Sequence, residues 1–325
     1  MAGEDAPLRL ATRGSALALA QARLVAGMLA GVEPGLRVEL VPVRTSGDER
    51  SDRAGSEAPS GPGPGAGPGD KSRFVKEIEQ ALLAGAADLA VHSAKDVPGE
   101  LPAGLAIVGV PGRADPRDAL CGADSIAALP AGARVGTSSL RRRAQLLAAR
   151  DDLEVDELRG NVDTRLRRLG EGDYDAVVLA LAGLERLGLR AGEPVDAAVI
   201  TPAPGQGCLA LEARTGDARA ADLAAAVTDA DALMTLTAER AVTATLQASC
   251  DTPIGVYAEP DRGGGGVGVG ELTVATFVGR PDGSAWLRDE IAGDAQAPAA
   301  LGRLAGERLL SAGAAEVLGG EAVER

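Results

Sequence analysis

The sequence predicts an α/β protein in which two domains of parallel sheet and helix precede a smaller α+β domain. Three observations carry this. Strand-like and helix-like patterns alternate from residue 8 to about 110. The alternation restarts with ARVGT at 133–137 and runs to YDAVVLAL at 174–181. From about residue 231 the order changes to a long helix, several strands and a closing helix. At roughly 100 to 200 residues per domain, a chain of 325 residues has room for two or three cores.

LRLAT at 8–12 alternates like a strand and enters a helix, GSALALAQARLVAGMLA, for which Ser15 is the expected hydroxyl cap. RVELVPVR at 37–44 is the next strand. The segment 54–70 holds so much Pro and Gly that it propagates neither helix nor sheet, and it is read as a mobile excursion. FVKEIEQALLAG resumes as helix, and DLAVHSA and LAIVGV are strands separated by the turn-rich KDVPGELPAG. After DPRDAL the second series follows: ARVGT strand, SSLRRRAQLLAAR helix, LEVDELRG strand, NVDTRLRRLGEG helix, YDAVVLAL strand. PAPGQG is a turn, after which CLALEAR and DARAADLAAAV return the chain to the first domain. In the last part PDGS marks a hairpin between two strands, and GGGG at 263–266 a flexible turn. The division is therefore 1–111 with 208–228, then 112–207, then 229–325.

Hydrophobic residues make up 45% and aromatic residues 2%, so the cores must be built from Ala, Leu and Val. A net charge of −14 argues against nucleic acid and anionic membrane as partners, because the summed field repels polyanions. With no apolar run near the roughly 18 residues of a membrane span and no basic-then-apolar leader, the expected location is the cytoplasm. Cys121, Cys208 and Cys250 suggest neither a disulfide framework nor a zinc pattern. His92 is the one histidine, which excludes a metal site with more than one imidazole; at a strand position it reads as structural.

In so acidic a chain the informative feature is where positive charge gathers. Arg13, Lys95, Arg141 with Arg142, and Arg159 each follow a predicted strand, and in open α/β sheets ligands bind outside the carboxyl ends of the strands. The implied ligand is an anion held in a cleft. Thr137, Ser138 and Ser139 add hydroxyls and backbone N–H groups at a helix start, and arginine adds bidentate carboxylate recognition. Successive helical residues point about 100° apart, so Arg141, Arg142 and Arg143 cannot all face one ligand; two are expected to. An isolated RRR is more often a solvated helix start paired with nearby acids, and the basic residues at other strand ends are what favour a site. Arg165 lies about one helical turn beyond Arg159, whereas Arg167 and Arg168 suit an exposed basic face. Arg186 suits a surface role or the site equally. Asp96 beside Lys95 is a candidate carboxylate for stabilising a developing cation. Cys250, on a loop before Thr-Pro, is the thiol with an exposed context; Cys121 and Cys208 are expected to pack.

Taken together, LATRGSALALAQ, FVKEIEQALL, AVHSAKDVP, DPRDAL, GTSSLRR, LRGNVDTRL, YDAVVLALAGLERLGL, PAPGQG and the cysteine before Thr-Pro-Ile-Gly closely resemble the porphobilinogen deaminase family, in order from about residue 8 to 260. The resemblance implies two periplasmic-binding-protein-like domains flanking a cleft, with a third, smaller α+β domain. It implies a transferase of porphyrin, tetrapyrrole and haem biosynthesis that joins four porphobilinogen molecules head to tail with release of ammonia. One covalent dipyrromethane cofactor per chain, in thioether linkage to Cys250, would act as primer. By the same resemblance Asp96 is the catalytic aspartate. Lys95, Ser139, Arg141 and Arg142 hold the cofactor's acid groups. Arg13, Ser15, Arg159, Arg165, Arg186 and Gln206 bind substrate, Gln206 from the PGQG hinge, and Lys71 belongs to a mobile loop. A monomer is implied, with no nucleic acid, membrane or metal.

The sequence departs from the family pattern at Asp70–Phe74, where Asp-Lys-Ser-Arg-Phe replaces a common Gly-Lys-Gly-Leu-Phe, and at Ser249, where glycine often stands. Two other readings compete. A non-catalytic organic-anion-binding protein would need neither Cys250 nor Asp96. A phosphate-handling transferase would use GTSS as its anion seat, but no P-loop or dinucleotide fingerprint accompanies it.

Overall fold

The computed structural model describes residues 6–43, 73–249, 251–261 and 270–319. Lys71, Cys250, the segment 54–70 and the glycines at 263–266 lie outside the described residues. The elements in chain order are β1 (Leu8–Arg13), α1 (Ala16–Val32), β2 (Val38–Val43), α2 (Arg73–Leu83), β3 (Leu89–Ser93), a single 3₁₀ turn (Ala94–Asp96), β4 (Leu105–Gly109), β5 (Asp118–Cys121), β6 (Arg134–Gly136), α3 (Leu140–Ala149), β7 (Glu154–Asp156), α4 (Val162–Gly170), β8 (Ala176–Ala180), α5 (Leu181–Arg186) and β9 (Glu193–Pro194). Then come β10 (Leu209–Arg214), α6 (Ala218–Ala226), α7 (Ala230–Thr245), β11 (Ile254–Pro260), β12 (Glu271–Gly279), β13 (Trp286–Asp294), α8 (Pro298–Ser311) and α9 (Ala314–Val317). They fall into two compact units: Met1–Ala114 with Cys208–Leu233, and Asp115–Gly207 with Met234–Arg325.

The first unit is built on a five-stranded sheet of order β2-β1-β3-β10-β4. Period-two alternation sends Leu8, Leu10, Leu89, Val91, Leu209 and Leu211 to one face, where they pack against Val25 and Leu29 of α1 and Leu223 of α6. Ala11, Ala90 and Leu105 belong to the other face and pack with Ile78 and Leu82 of α2. At the start of α1, Ser15 caps as expected, its hydroxyl accepting from the Ala18 N–H at 3.3 Å, while Thr12 donates to the Ala18 carbonyl at 3.1 Å. His92 is buried, with Nε2 2.9 Å from Oε2 of the fully buried Glu212. This agrees with its reading as a structural histidine. Glu79 of α2 is buried as well; burial and the nearby Glu212 raise its carboxyl above the ordinary value, and His92 acts the other way.

The second unit holds two sheets. The first, of order β7-β6-β8-β5-β9, packs Val135, Val155, Val178 and Leu120 with Leu146 of α3 on one face, and Ala119, Val177 and Leu179 with Leu184 of α5 on the other. The second is the antiparallel β11-β12-β13, whose buried face meets α7 and α8 through Val242, Leu301, Ala305 and Leu309. The PDGS turn between β12 and β13 is closed by the Arg280 N–H to the Ala285 carbonyl at 2.8 Å. Gly302 and Gly306 of α8 lie directly against Ala238, Ala241 and Thr245 of α7. In a chain so poor in aromatic rings, close backbone approach supplies dispersion contact that large side chains supply elsewhere.

The expectation of purely parallel sheets in the first two domains is corrected. In each, the strand that follows passage from the other unit runs antiparallel to both neighbours: β5 to β8 and β9, and β10 to β3 and β4. Parallel neighbours need a crossover helix to return the chain to the same end of the sheet, and a strand entering from elsewhere has no such constraint. With the entering strand in fourth place, the two sheets have one and the same topology, 2-1-3-n-4, which is periplasmic-binding-protein-like. The sequence reading also passed over α5 and β9, which at six and two residues are too short to show a period.

Glu79→Gln is expected to stabilise the protein by up to about 1 kcal/mol near pH 8, with the gain shrinking as pH falls towards the ordinary carboxylate range. A raised carboxyl favours the protonated form in the folded state, so the wild type loses stability as pH rises above its unfolded value, and glutamine does not titrate. Urea unfolding of both forms across this range checks it, and a constant difference at all pH values would contradict the assignment.

Candidate active site

Two groups of candidate residues are assembled, one in each unit, and both sit at carboxyl ends of parallel strands. In the first unit β1 and β3 run parallel. Arg13 ends β1, Ser15 begins the following helix, and Lys95 and Asp96 form the 3₁₀ turn directly after β3. All four are half-buried. The turn is fixed from below, since the Ala94 N–H donates to the Cys208 carbonyl at 3.1 Å and Ser93 shares hydrogen bonds with the Gln21 amide.

In the second unit the parallel strands are β7, β6 and β8. After β6, the Thr137 hydroxyl accepts the Ser139 N–H at 3.2 Å, and Ser139 caps α3 by accepting the Arg142 N–H. The helix start expected from GTSSLRRR is therefore formed. Its arginines diverge as the helical period requires. Arg143 is engaged with the carbonyls of Val155 at 2.7 Å and Pro281 at 3.2 Å, whereas Arg141 and Arg142 turn inward and are buried.

Both inward arginines meet Asp118, the first residue of β5, which is fully buried. Arg142 donates to Oδ1 through Nε at 3.1 Å and Nη2 at 2.7 Å, and Nη2 of Arg141 lies 2.7 Å from Oδ2. Burial alone would raise this carboxyl, but the two guanidinium charges overcome it and hold the group far below the ordinary range. Burial and Arg142 lower the pKa of Arg141, Asp118 opposing them. Nη1 of Arg141 also donates to the Thr201 carbonyl at 2.6 Å, an oxygen shared with the Gln145 amide.

Arg165 of α4 joins this cluster, donating to the Ser138 hydroxyl at 3.1 Å and the Gly160 carbonyl at 2.9 Å. No carboxylate pairs with it among the described residues. Burial, with the charge of Arg142 added, pushes its pKa down to about 10. Three guanidinium groups thus gather, two of them on one carboxylate, at a helix start whose N–H groups already favour an anion. The donor set fits a ligand carrying several carboxylates.

Arg159 is exposed beyond β7 and pairs with the exposed Glu157 at 2.7 Å, an interaction that contributes little in water. Arg167 and Arg168 pair with Glu171 and Asp173, as an exposed basic face should. Arg186 closes α5 and donates to the Gly207 carbonyl at 2.6 Å. Gln206 is buried and donates to the Pro116 carbonyl at 2.6 Å and to Oδ1 of Asp118 at 2.9 Å. Gly205 and Gly207, on either side, have φ of 72° and 88°, which explains glycine at both positions of PGQG. Around Cys250, Ser249 and Thr252 are joined by the Ser249 N–H to the Thr252 hydroxyl at 2.9 Å and the Thr252 N–H to the Ser249 carbonyl at 3.0 Å. The other cysteines are buried, and burial pushes the Cys121 thiol up to about 11, so both pack as expected.

Asp118 is the residue of this cluster that sequence reasoning missed. Its signal was present in DPRDAL, but an aspartate flanked by arginine in a loop-like run has the look of a surface pair.

Comparison with known proteins gives two family matches that together span most of the chain. Residues 8–222 match the model described as porphobilinogen deaminase, dipyromethane cofactor binding domain, and residues 233–311 match porphobilinogen deaminase, C-terminal domain. Among solved structures, substrate binding domain 2 of GlnP from Lactococcus lactis is 10% identical over 69% of this chain and 88% of its own, with a TM-score of 0.40. The L-cystine solute receptor of Neisseria gonorrhoeae is 14% identical over 69% and 86%, with a TM-score of 0.38. YhfZ from Shigella flexneri is 19% identical over 75% and 98%, at 0.34. Scores this low add nothing to the topology already described.

Sheet topology, cationic helix start and family matches define the class: a transferase that works on a carboxylate-bearing small molecule. The chain belongs to the porphobilinogen deaminase family. Its function is that of hydroxymethylbilane synthase, the conversion of porphobilinogen to linear hydroxymethylbilane in tetrapyrrole biosynthesis, and its cofactor is dipyrromethane.

Replacing Arg165 by methionine is expected to stabilise the folded chain by about 0.5–2 kcal/mol while weakening activity, since a half-buried cation repelled by Arg142 is removed. The check is thermal and urea unfolding of protein purified without substrate. Lower stability in the methionine variant would mean that Arg165 is paired in solution.

Proposed function

We propose that the residues at the two strand edges divide the reaction between them. Ser139, Arg141, Arg142 and Arg165 hold acetate and propionate groups of the cofactor and growing chain. The observation that carries this is Arg165, a guanidinium half-buried beside Arg142 with a lowered pKa and no carboxylate among the described residues. An incoming carboxylate relieves that repulsion, and in a partly buried setting a charge-assisted bidentate bond is about twice as strong as a neutral one.

Asp96 is the catalytic aspartate. Its place in a 3₁₀ turn anchored by β3 and β10 supports the role, because a carboxylate there can accept a pyrrole N–H and stabilise the cation formed when substrate loses ammonia. Arg13 and Ser15, at the end of the adjacent parallel strand, bind substrate acid groups, and Lys95 holds acid groups of the cofactor. Arg159, beyond β7, and Arg186, at the end of α5, bind substrate acid groups as well, Arg159 being exposed and so able to change partner from Glu157.

Bound through Cys250, the dipyrromethane supplies a free pyrrole carbon as the starting point for chain growth. The residues of this chain bind it, orient it and neutralise its charge. The acidic net charge supports a protein without nucleic-acid partners. A cytoplasmic location and a monomer of three domains are part of the same reading.

Intact mass of wild type and Cys250→Ser, before and after porphobilinogen, tests the proposal. Wild type should carry an excess of two linked pyrroles and then gain single pyrrole steps, whereas the serine variant should have bare polypeptide mass. Asp96→Asn should keep the initial excess and lose turnover by at least about a hundredfold, the order of a positioned acid–base group. Bare mass in a folded wild type would overturn the Cys250 assignment, and near-normal turnover in the asparagine variant would overturn that of Asp96.

A further inference from the structure

We propose that Asp118 is a positioning residue, which transmits the state of the arginine site to the turn through which the chain leaves the second unit. This rests on the reading of Arg141 and Arg142 as ligand-holding residues.

The geometry is unusual in where it converges. A carboxylate needed only to neutralise Arg142 would be satisfied by the two hydrogen bonds at Oδ1. Oδ1 takes a third, from Gln206 at 2.9 Å, and the same amide nitrogen reaches the Pro116 carbonyl at 2.6 Å. Pro116 lies just inside the point at which the chain enters the unit, and Gln206 just before the point at which it leaves. One side chain therefore clasps the incoming and outgoing segments to each other and to the carboxylate that orients the arginines.

The flanking residues of the outgoing turn are fixed too. The Gly205 N–H donates to Oε2 of the buried Glu239 in α7 at 2.5 Å, and the Gly207 carbonyl accepts from Arg186 at 2.6 Å. The other oxygen of Glu239 accepts the Ala258 N–H of β11 at 2.8 Å. The turn 205–207 is thus held by the site arginines on one side, directly through Arg186 and through Asp118 for the pair on α3. On the other it is held by the α7–β11 segment, which contains Cys250. Each pyrrole added brings carboxylates that compete with Asp118 for Arg141 and Arg142. A shift of either guanidinium alters the oxygen on which Gln206 depends, and the junction must then readjust with every addition.

The variant that isolates this function is Gln206→Leu, which keeps the side chain's bulk and removes both hydrogen bonds while leaving the Asp118–arginine contacts. Its control is Gln145→Leu, which loses buried hydrogen bonds to Thr201 in the same unit but none to Asp118. The full-length, cofactor-loaded proteins would be compared by melting temperature and by intact mass during turnover of limiting porphobilinogen. Gln206→Leu should load cofactor normally, lose at least about tenfold in kcat, and accumulate complexes carrying one or two added pyrroles. Gln145→Leu should lose comparable stability without that redistribution. Identical mass distributions in the two variants would reduce Gln206 to a structural role and overturn the proposal. Arg142→Gln keeps this failure distinct from failure of the site reading: if it loads and elongates like wild type, the arginines do not hold the ligand, whatever Gln206 does.

Discussion

Burying arginine is costly without negative charge beside it, and around the start of α3 the described residues supply one carboxylate beside three guanidinium groups. That deficit organises the second unit. Asp118 takes up two of the arginines, carbonyl oxygens of Thr201, Val178 and Gly160 accept further donors, and the charge of Arg165 is offset by no carboxylate among the described residues. Removing one partner from such a buried group leaves an uncompensated charge and typically costs about 3–5 kcal/mol. In the function proposed above, the site's affinity for anions and its demand on the surrounding fold are therefore one property. The protein as a whole can stay strongly acidic, because the cationic region is confined to a few strand ends.

The first unit meets the opposite requirement. Its candidate residues, Arg13, Ser15, Lys95 and Asp96, are mixed in charge, and their placement depends on backbone anchoring rather than on a charge network. Ser15 and Thr12 fix the turn after β1, and the Cys208 carbonyl together with Gln21 fixes the end of β3. The same unit buries Glu79 of α2 with His92 and Glu212 of the sheet, and the raised carboxyl of Glu79 couples that unit's stability to pH.

Much of this was legible in the sequence, and the parts that were not share a cause. Hydrophobic period and caps placed nearly every long element, Ser15 and Ser139 included, because amphipathic helices and alternating strands write their burial into local spacing. The 100° offset between successive helical residues was enough to say that Arg141, Arg142 and Arg143 would not all face one way, though not which of them would diverge. What local spacing cannot encode is a partner far along the chain. The antiparallel insertion of β5 and β10 was missed for that reason, and so was Asp118, whose three partners lie 23, 24 and 88 residues away. The family resemblance supplied roles for Asp96 and Cys250 that spacing alone left open between a surface pair, a packed thiol and a functional group.

The inserted strands also impose an order on synthesis. The sheet of the second unit that carries the arginines is contiguous between Asp118 and Pro194, so all five of its strands are available once that stretch has left the ribosome. The sheet of the first unit is not: its fourth strand, between β3 and β4, is Leu209–Arg214. Until about a hundred further residues have been made, β3 and β4 lack the strand that joins them, and their unpaired edges stay exposed to wrong partners. The part of the protein synthesised first is thus the last of the two to close, and it closes only after the arginine-bearing sheet has had time to form.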